Sequence, residues 1–334
     1  MIAKRKKSRV LITSRSFGRF CKDAEELVAG VADVHRVPRG ATMEPDKLMN
    51  AVKGAKGLIV GADKISREVI EDAEELRIIA RHGIGFDNID VKFATQRGIV
   101  VTYTPHVNAD SVADFTLGLM LSLARKIPWS HTSTQAGRWE SVKFIGNELS
   151  GKTLGILGLG EIGSRVASRA STFGIKVVYY QRHRDERREK ELNARYVPLR
   201  ELLGMSDFLS IHVPLTDTTR GMIGEQELKL MKPVSFLINT ARGQIVDENA
   251  LYAALRDRRI AGAALDVYVK EPPVIDFSLF KLDNVIVTPH IAAYTHEAIE
   301  RMDMTVAQDL VLFLQNKRPQ HVANPEVLEQ LDLT

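Results

Sequence analysis

The chain contains 334 residues, which is long for one domain and points to two domains of ordinary size. Apolar residues make up 44% and charged residues 26%, as in folded globular proteins, and no apolar run approaches the ~20 residues of a membrane span. The 46 basic and 42 acidic residues are interspersed, so the net charge of +4 predicts neither a nucleic-acid partner nor a membrane partner. Because Cys21 is the single cysteine and no Cys/His spacing resembles a zinc site, we expect a cytoplasmic protein without a metal.

Apolar runs rich in β-branched residues alternate with helix-compatible segments in the first hundred residues. The predicted strands are 9–13, 57–60, 76–80 and 99–101. The predicted helices surround residues 24–28 and cover 65–73 and 91–96. Alternation of this kind builds a parallel sheet through right-handed crossovers, so the sequence predicts a first α/β domain here.

Segment 108–125 changes character, because apolar residues leave it almost no polar face. A helix that is apolar nearly all round must be buried on most sides, and we expect burial between domains or between subunits. A long polar connection follows it through about residue 146 and is suited to wrapping around a neighbouring molecule.

A second alternating series begins at Lys152. Its predicted strands are 153–157, 176–180, 208–212, 234–239, 261–266 and 285–288. Six successive strands are the number in a complete dinucleotide-binding sheet. We expect the last helix, 297–315, to pack back on the first domain. The expected domains are therefore 1–107 with 297–334, and 108–296.

A glycine-rich loop follows the strand at 153–157. Gly158, Gly160 and Gly163 form the pattern G-x-G-x-x-G and precede a predicted helix at 164–173, which is the context that the motif requires. The three glycines allow a tight turn, close approach of backbone N–H groups to a pyrophosphate, and close packing of the helix on the strand. We expect this loop, with Glu161 and Ile162, to bind a dinucleotide.

The end of the next strand carries cations where an acid is usual. The position of the carboxylate that normally binds the adenosine ribose should fall near Gln181, where no acid is present, and Arg182 follows it. A guanidinium there would pair with a 2′-phosphate, so NADP is favoured over NAD. Two alternatives stay open: Arg182, Arg184, Arg187 and Arg188 face solvent among acidic neighbours, or Asp185 serves NAD if the strand ends later.

Three later segments lie at predicted strand ends and carry polar side chains. They are 239–243 with Arg242, 265–272 with Asp266 and Glu271, and 288–290 with His290. Because ligands of doubly wound sheets bind outside the carboxyl ends of the strands, we expect all three to face one crevice.

Together with 81–88, 108–125, 213–219 and 243–248, these segments resemble the D-isomer-specific 2-hydroxyacid dehydrogenases over nearly the whole chain. That family includes phosphoglycerate dehydrogenases and glyoxylate/hydroxypyruvate reductases. The resemblance implies an α/β fold of two doubly wound parallel-sheet domains, with a cofactor-binding Rossmann domain inserted in a flavodoxin-like substrate domain. It also implies an NAD(P)-dependent oxidoreductase that acts on a small 2-oxo acid or D-2-hydroxyacid.

The resemblance assigns three catalytic residues. Arg242 corresponds to the arginine that holds the substrate carboxylate through bidentate pairing. His290 corresponds to the acid/base that gives a proton to the developing alkoxide. Glu271 corresponds to the carboxylate that orients the histidine and stabilises its charged form, and glutamate at this point argues against formate oxidation.

The resemblance also implies further contacts. The implied cofactor residues outside the glycine loop are Gln181, Arg182, Val213, Pro214, Thr219, Thr240, Ala241, Asp266 and His290, with Asp266 on the nicotinamide carboxamide. The implied substrate residues are Arg81, Ile84, Gly85, Arg242 and His290. Ile84 and Gly85 would donate backbone N–H groups to the substrate carboxylate, and Arg81 lies where phosphoglycerate dehydrogenases place a cation for their phosphorylated substrate.

Two substrate classes compete within this interpretation. Segments 123–128, 137–139 and 149–160 resemble phosphoglycerate dehydrogenases, whereas 179–182 and 192–196 resemble NADPH-linked glyoxylate and hydroxypyruvate reductases. We expect no regulatory extension after residue 334, which argues against a long, serine-regulated phosphoglycerate dehydrogenase. We favour the reductases, because cells usually hold NADPH in its reduced form. A homodimer is expected from the resemblance and from the apolar segment 108–125. The alternative from another functional class is a dinucleotide-sensing interaction protein, as the corepressor relatives of this family are.

Overall fold

A computed structural model describes residues 7–38 and 43–334, which form two compact units. One unit contains the residues up to 108 together with 294–334, and the other contains 109–293. Each unit is built on its own parallel sheet.

Strands and helices alternate in the first part of the first unit. They are β1 (Ser8–Ile12), α1 (Lys22–Val31), β2 (Ala32–Arg36), α2 (Pro45–Val52), β3 (Gly57–Val60), α3 (Arg67–Asp72), β4 (Ile78–Arg81), α4 (Val91–Gln96) and β5 (Val100–Thr102). Each of the four predicted strands is present within two residues of its predicted bounds. The sequence analysis missed β2, because this strand lies at the sheet edge and alternates exposed charged residues with buried ones.

The first sheet has the order β2-β1-β3-β4-β5 with parallel pairing throughout. This is the flavodoxin-like order, whose topological switch point lies between β1 and β3. Both faces of the sheet are apolar: Val10 and Ile59 lie in one core cluster, while Leu11 and Leu58 lie in the other. Helices therefore cover both faces, and polar residues that follow the strands are placed at the carboxyl edge.

The second unit contains seven strands and seven helices among its described residues. They are α5 (Ala109–Arg125), α6 (Ile127–Gln135), β6 (Thr153–Leu157), α7 (Glu161–Ser171), β7 (Lys176–Tyr180), α8 (Glu186–Leu192), β8 (Ala194–Tyr196), α9 (Leu199–Met205), β9 (Phe208–Ile211), α10 (Glu225–Leu230), β10 (Phe236–Asn239), α11 (Glu248–Arg256), β11 (Gly262–Leu265) and β12 (Val285–Val287). Short 3₁₀ turns cover Ser141–Phe144, Gly243–Ile245 and Ser278–Lys281.

The second sheet has the order β12-β11-β10-β9-β6-β7-β8, again with parallel pairing. This is the order 3-2-1-4-5-6 of a dinucleotide-binding sheet with one further strand, and its switch point lies between β6 and β9. The prediction of six strands was one short, because β8 has three residues and follows the charged helix α8 too closely to stand out.

Three details of the second unit correct the sequence analysis. Helix α7 begins at Glu161, three residues earlier than predicted, so the N–H groups of its first turn border the glycine loop. Helix α5 packs on α7 and on strands β10 and β11 of its own unit. Most of its apolar surface is therefore covered without a second domain or subunit, contrary to the expectation. The predicted polar connection also begins with the helix α6.

The chain ends in the first unit with α12 (His296–Leu314) and a 3₁₀ turn at Pro325–Gln330. Helix α12 packs against α1 and strands β4 and β5. Two fully buried aspartates, Asp303 and Asp309, lie on this helix. A buried carboxylate is costly unless it is paired, so each of them marks a specific contact.

Candidate active site

The glycine loop after β6 has the shape that a pyrophosphate-binding turn requires. Gly158 has a φ of +97°, which favours glycine. A Cβ on Gly163 would lie 2.1 Å from the Gly158 carbonyl oxygen, whereas a Cβ on Gly160 would meet open space. The first N–H groups of α7 have no partner within the helix, so the loop fits an anionic ligand.

Side chains from beyond β7 brace this loop. The Gln181 Oε1 accepts a hydrogen bond of 3.0 Å from the Leu159 N–H. The Arg188 guanidinium donates to the Leu159 carbonyl at 2.6 Å and to the Glu161 carboxylate at 2.8 Å. The sequence analysis did not predict this contact and named Arg188 only as a residue that could face solvent. Arg188 lies nearly thirty residues from the loop, and no local pattern connects the two.

The arginines after β7 differ in their partners. Arg184 binds both carboxylate oxygens of Glu189, at 2.7 and 2.9 Å, and this pairing raises the pKa of its guanidinium. Arg182 donates to the ring of His183, and its guanidinium has no acidic partner among the residues that the structure describes. Arg182 is therefore the guanidinium of this segment that is available to an added anion.

The switch point of the second sheet carries a neutral histidine that the sequence analysis missed. His212 follows β9, and its Nε2 lies 2.7 Å from the Ser210 hydroxyl. Burial of the His212 imidazole lowers its pKa to about 3. Val213 next to it lies so close that a Cβ on Gly158 would approach its side chain to 2.9 Å. Thr219 closes the turn by donating to the Pro214 carbonyl at 2.6 Å.

The loop after β10 presents Arg242. Asn239 holds this loop, because its amide accepts from the Ala241 N–H and donates to the Arg242 carbonyl at 3.0 and 2.9 Å. The hydroxyls of Thr240 and Thr116 lie 3.2 Å apart and fix the loop on α5. A Cβ on Gly243 would lie 2.0 Å from the backbone of Tyr268, so only glycine lets this loop meet the loop after β11.

The loop after β11 places Glu271 against His290. The Glu271 Oε2 lies 2.6 Å from the His290 Nδ1, and the Oε1 accepts from the Tyr268 N–H at 3.0 Å. Burial would raise the pKa of the Glu271 carboxyl, but the hydrogen bond and charge of His290, the Tyr268 N–H and the charge of Arg242 hold it below its usual value. The carboxylate therefore stays ionised at neutral pH, with Arg242 near enough to act on it.

The histidine is held in an uncommon backbone conformation. His290 has a φ of +54°, which is costly for a non-glycine residue and persists where surrounding contacts enforce it. Asp266 provides those contacts: one oxygen accepts from the Thr288 hydroxyl and the Ile291 N–H, and the other accepts from the Ala292 N–H. Three of the roughly four acceptor positions of a carboxylate are thus used by the chain itself. The contact of Asp266 with the carboxamide stays a prediction.

Nδ1 of His290 faces Glu271, and this leaves Nε2 as the nitrogen that can exchange a proton with a ligand. The side chain of His290 is 43% exposed. An imidazole backed by an ionised carboxylate, beside a guanidinium, can bind a carboxylic acid and protonate a neighbouring oxygen.

In the first unit, the loop after β4 contains the predicted donors Ile84 and Gly85. Within the described part of the chain, neither N–H group donates to a protein acceptor. The Arg81 guanidinium donates to the Gly85 carbonyl at 2.8 Å and to the His82 carbonyl, so it closes this loop on itself. Two N–H donors of Arg81, at Nε and Nη1, are therefore engaged with the loop that carries Ile84 and Gly85.

The described residues, 7–38 and 43–334, contain no group of three His, Cys, Asp or Glu side chains placed to hold a metal ion. No helix among them has the length and apolar character to cross a bilayer.

Comparison with known proteins adds independent evidence. Residues 117–292 match the family model described as "D-isomer specific 2-hydroxyacid dehydrogenase, NAD binding domain". A glyoxylate reductase from Thermococcus litoralis is 45% identical over 298 residues, which are 87% of this chain and 88% of that protein. The chain belongs to the D-isomer-specific 2-hydroxyacid dehydrogenase family.

Other members of this family show the same relationship. A D-3-phosphoglycerate dehydrogenase from Methanocaldococcus jannaschii is 42% identical over 91% of this chain and 57% of that protein. The crystal structure of an NADPH-dependent glyoxylate/hydroxypyruvate reductase from Sinorhizobium meliloti, 30% identical, superposes with a TM-score of 0.81 over 95% of this chain and 98% of that one. The family membership confirms the α/β fold class, a nicotinamide dinucleotide cofactor and an oxidoreductase that acts on small 2-oxo or 2-hydroxy acids. It does not favour the alternative of a dinucleotide-sensing interaction protein.

Proposed function

We propose that this dehydrogenase is an NADPH-dependent reductase of a small, unphosphorylated 2-oxo acid of the glyoxylate or hydroxypyruvate type. The observation that carries the chemistry is the 2.6 Å contact between Glu271 and His290 beside the Arg242 loop. The nicotinamide dinucleotide, when bound, supplies the hydride.

The three side chains have different roles in substrate binding and proton transfer. Arg242 pairs with the substrate carboxylate, and its planar guanidinium fixes the orientation of the 2-oxo group. His290 gives the proton on Nε2 to the carbonyl oxygen as negative charge develops there. Glu271 stabilises the protonated imidazole and holds Nδ1, so that Nε2 points away from the carboxylate. Asp266 acts indirectly, because it holds the turn that contains His290.

NADPH is the proposed reductant because Arg182 is available. Arg184 and Arg188 are engaged with Glu189 and Glu161, whereas Arg182 has no acidic partner in the described chain. A 2′-phosphate would form a charge-assisted hydrogen bond with it.

Dinucleotide titration of two matched variants tests this assignment. We expect Arg182→Gln to weaken NADPH binding roughly 10- to 100-fold and to leave NADH binding nearly unchanged, since one hydrogen bond to a charged group is lost. Arg184→Gln, in which an arginine already paired with Glu189 is replaced, should change neither affinity by more than about twofold. Equal losses of NADPH and NADH affinity in Arg182→Gln would overturn the assignment.

An unphosphorylated substrate is proposed because the Arg81 guanidinium is used inside its own loop. The names of the glyoxylate reductases at 42–45% identity support the same class. A panel of glyoxylate, hydroxypyruvate and 3-phosphohydroxypyruvate with NADPH at 340 nm decides the matter. We expect the two unphosphorylated acids to have the higher kcat/KM. A higher value for 3-phosphohydroxypyruvate would assign the chain to the phosphoglycerate dehydrogenases instead.

A homodimer in the cytoplasm is the proposed state of the protein. The connection from α6 to β6 exposes large apolar side chains, with Trp139 88% exposed, and we propose that a second copy of the chain covers them. The exposed residues are Ile127, Trp139, Val142 and Ile145. Light scattering should give twice the 37.2 kDa mass of the chain, and Trp139→Asp with Val142→Asp should halve it. A wild-type monomer would refute the dimer, and cell fractionation checks the compartment.

A further inference from the structure

A second histidine–carboxylate pair lies in the first unit, away from the residues considered so far. The His82 Nε2 is 2.7 Å from the Asp303 Oδ1, and the two side chains are only 3% and 0% exposed. The two atoms are at ion-pair distance, although their geometry does not meet the angular requirement of a hydrogen bond. Burial at this level prevents contact with a substrate, so the pair must act on the protein itself.

The pair connects three separate parts of the first unit. Asp303 comes from α12, and its Oδ2 accepts from the Gly18 N–H at 2.9 Å in the loop after β1. His82 comes directly after β4, and its Nδ1 faces the hydroxyls of Ser14 and Ser16 at 3.2 and 3.4 Å. Phe17 packs edge-on against the imidazole at 6.0 Å. Asp303 therefore ties the loops after β1 and β4 to the last helix.

Both loops lie at the carboxyl edge of the first sheet, where doubly wound sheets bind their ligands. His82 immediately precedes the loop of Gly83, Ile84 and Gly85. The backbone of that loop is fixed at several points: the His82 N–H donates to the Val60 carbonyl and the Gly83 carbonyl accepts from Thr104. The Ile84 and Gly85 N–H groups are left without protein acceptors in the described chain.

We infer that His82 and Asp303 are positioning residues for substrate binding: they hold the loop after β4 so that the Ile84 and Gly85 N–H groups point at the substrate carboxylate. This inference rests on the proposed function. Two backbone donors bind a carboxylate well only when their directions are set in advance, because ordering the loop during binding costs conformational entropy. The buried contact between His82 and Asp303, which joins α12 to both loops, supplies this rigidity.

Helix α12 offers a matched control for this inference. Asp309 is also buried, lies 2.9 Å from a histidine, His321, and accepts a backbone N–H, that of Gln320, at 2.7 Å. Its partners belong to the chain end and not to the loops after β1 and β4. Asp303→Asn and Asp309→Asn therefore each replace a buried, histidine-paired carboxylate on one helix, and their histidines differ in exposure, 3% for His82 and 35% for His321.

The test compares KM, kcat, NADPH affinity and thermal midpoint in the full-length protein. We expect both variants to lower the thermal midpoint, since each replaces a buried carboxylate that accepts a backbone N–H and contacts a histidine. Asp303→Asn should also raise KM for the 2-oxo acid about tenfold, with kcat within about threefold and NADPH affinity unchanged. Asp309→Asn should leave KM within about twofold.

Two variants at His82 extend the test if Asp303→Asn folds poorly. His82→Gln keeps a donor toward Asp303 and should raise KM less than His82→Leu, which has none. The inference is overturned if Asp303→Asn leaves KM unchanged, if Asp309→Asn raises KM equally, or if His82→Gln and His82→Leu behave alike. If the wild-type protein reduces a 2-oxo acid other than glyoxylate or hydroxypyruvate, the proposed substrate fails, and the same KM comparison with that acid still decides the role of Asp303.

Discussion

The two units each carry a histidine–carboxylate pair at similar distances, and the two pairs differ in what surrounds them. His290 and Glu271 are 2.6 Å apart with side chains 43% and 29% exposed, whereas His82 and Asp303 are 2.7 Å apart and fully buried. The exposed pair leaves one imidazole nitrogen for a ligand. In the buried pair both imidazole nitrogens face protein atoms: Nε2 faces Asp303, and Nδ1 faces the hydroxyls of Ser14 and Ser16. We therefore propose that the exposed pair transfers a proton and that the buried pair only holds the backbone.

The largest expected effect is the loss of kcat in His290→Ala, and its absence would contradict this comparison. His290→Ala removes the proposed proton donor and should lower kcat by about 10²- to 10⁴-fold, the usual contribution of a general acid. Steady-state reduction of glyoxylate measures this, and fluorescence titration should show unchanged NADPH affinity. His82→Leu is the control, because it should act mainly on KM. Equal kcat losses in the two variants would show that the two pairs do not differ in function.

A smaller effect is expected from the guanidinium beside the exposed pair. Arg242→Lys keeps the charge but loses the planar, two-pronged geometry, so kcat/KM should fall about 10- to 100-fold. Arg256→Lys, at an exposed arginine on α11 that pairs with Asp257, is the matched control and should be silent in the same assay. A near-normal kcat/KM for Arg242→Lys would argue that Arg242 acts as a point charge alone.

Much of this arrangement could be predicted from the sequence, because it depends on strand ends. The segments that carry Arg242, Glu271 and His290 each follow a strongly apolar strand, and parallel strands bring their carboxyl ends to one edge. The glycine spacing after β6 was equally informative. Local patterns of this kind predict which strand or helix a residue follows.

Contacts between distant segments could not be predicted in this way. Asp303 lies more than 200 residues from His82, and α12 reads as an ordinary amphipathic helix with an acid at a buried position. Arg188 meets the glycine loop only because α8 folds back over it, and Asp266 is used by the turn that follows β12. The short strands β2 and β8 were missed for a related reason, since edge pairing and not hydrophobicity defines them.

The smallest expected effect concerns His212, whose imidazole is uncharged in the folded protein at neutral pH. Because burial places the pKa of His212 at about 3, below the ~6.5 of an unfolded histidine, the unfolded chain binds a proton first as the pH falls. Stability should therefore decline from about pH 6.5 toward pH 3, by at most about 1.4 kcal/mol per pH unit from this group. Urea midpoints at pH 7.5, 6.0 and 4.5 should fall less steeply for His212→Gln than for wild type. His35→Gln, at an exposed histidine, is the control, and an unchanged slope in His212→Gln would contradict the assignment.

The most direct test of the account is a double-mutant cycle on kcat/KM with His290→Ala, Glu271→Gln and the double variant. Glu271 is proposed to act through His290, so Glu271→Gln should lower kcat/KM at least about tenfold in the wild-type background and less than about twofold in the His290→Ala background. Equal losses in both backgrounds would mean that the two residues act independently, and the proposed proton-donating pair would be wrong.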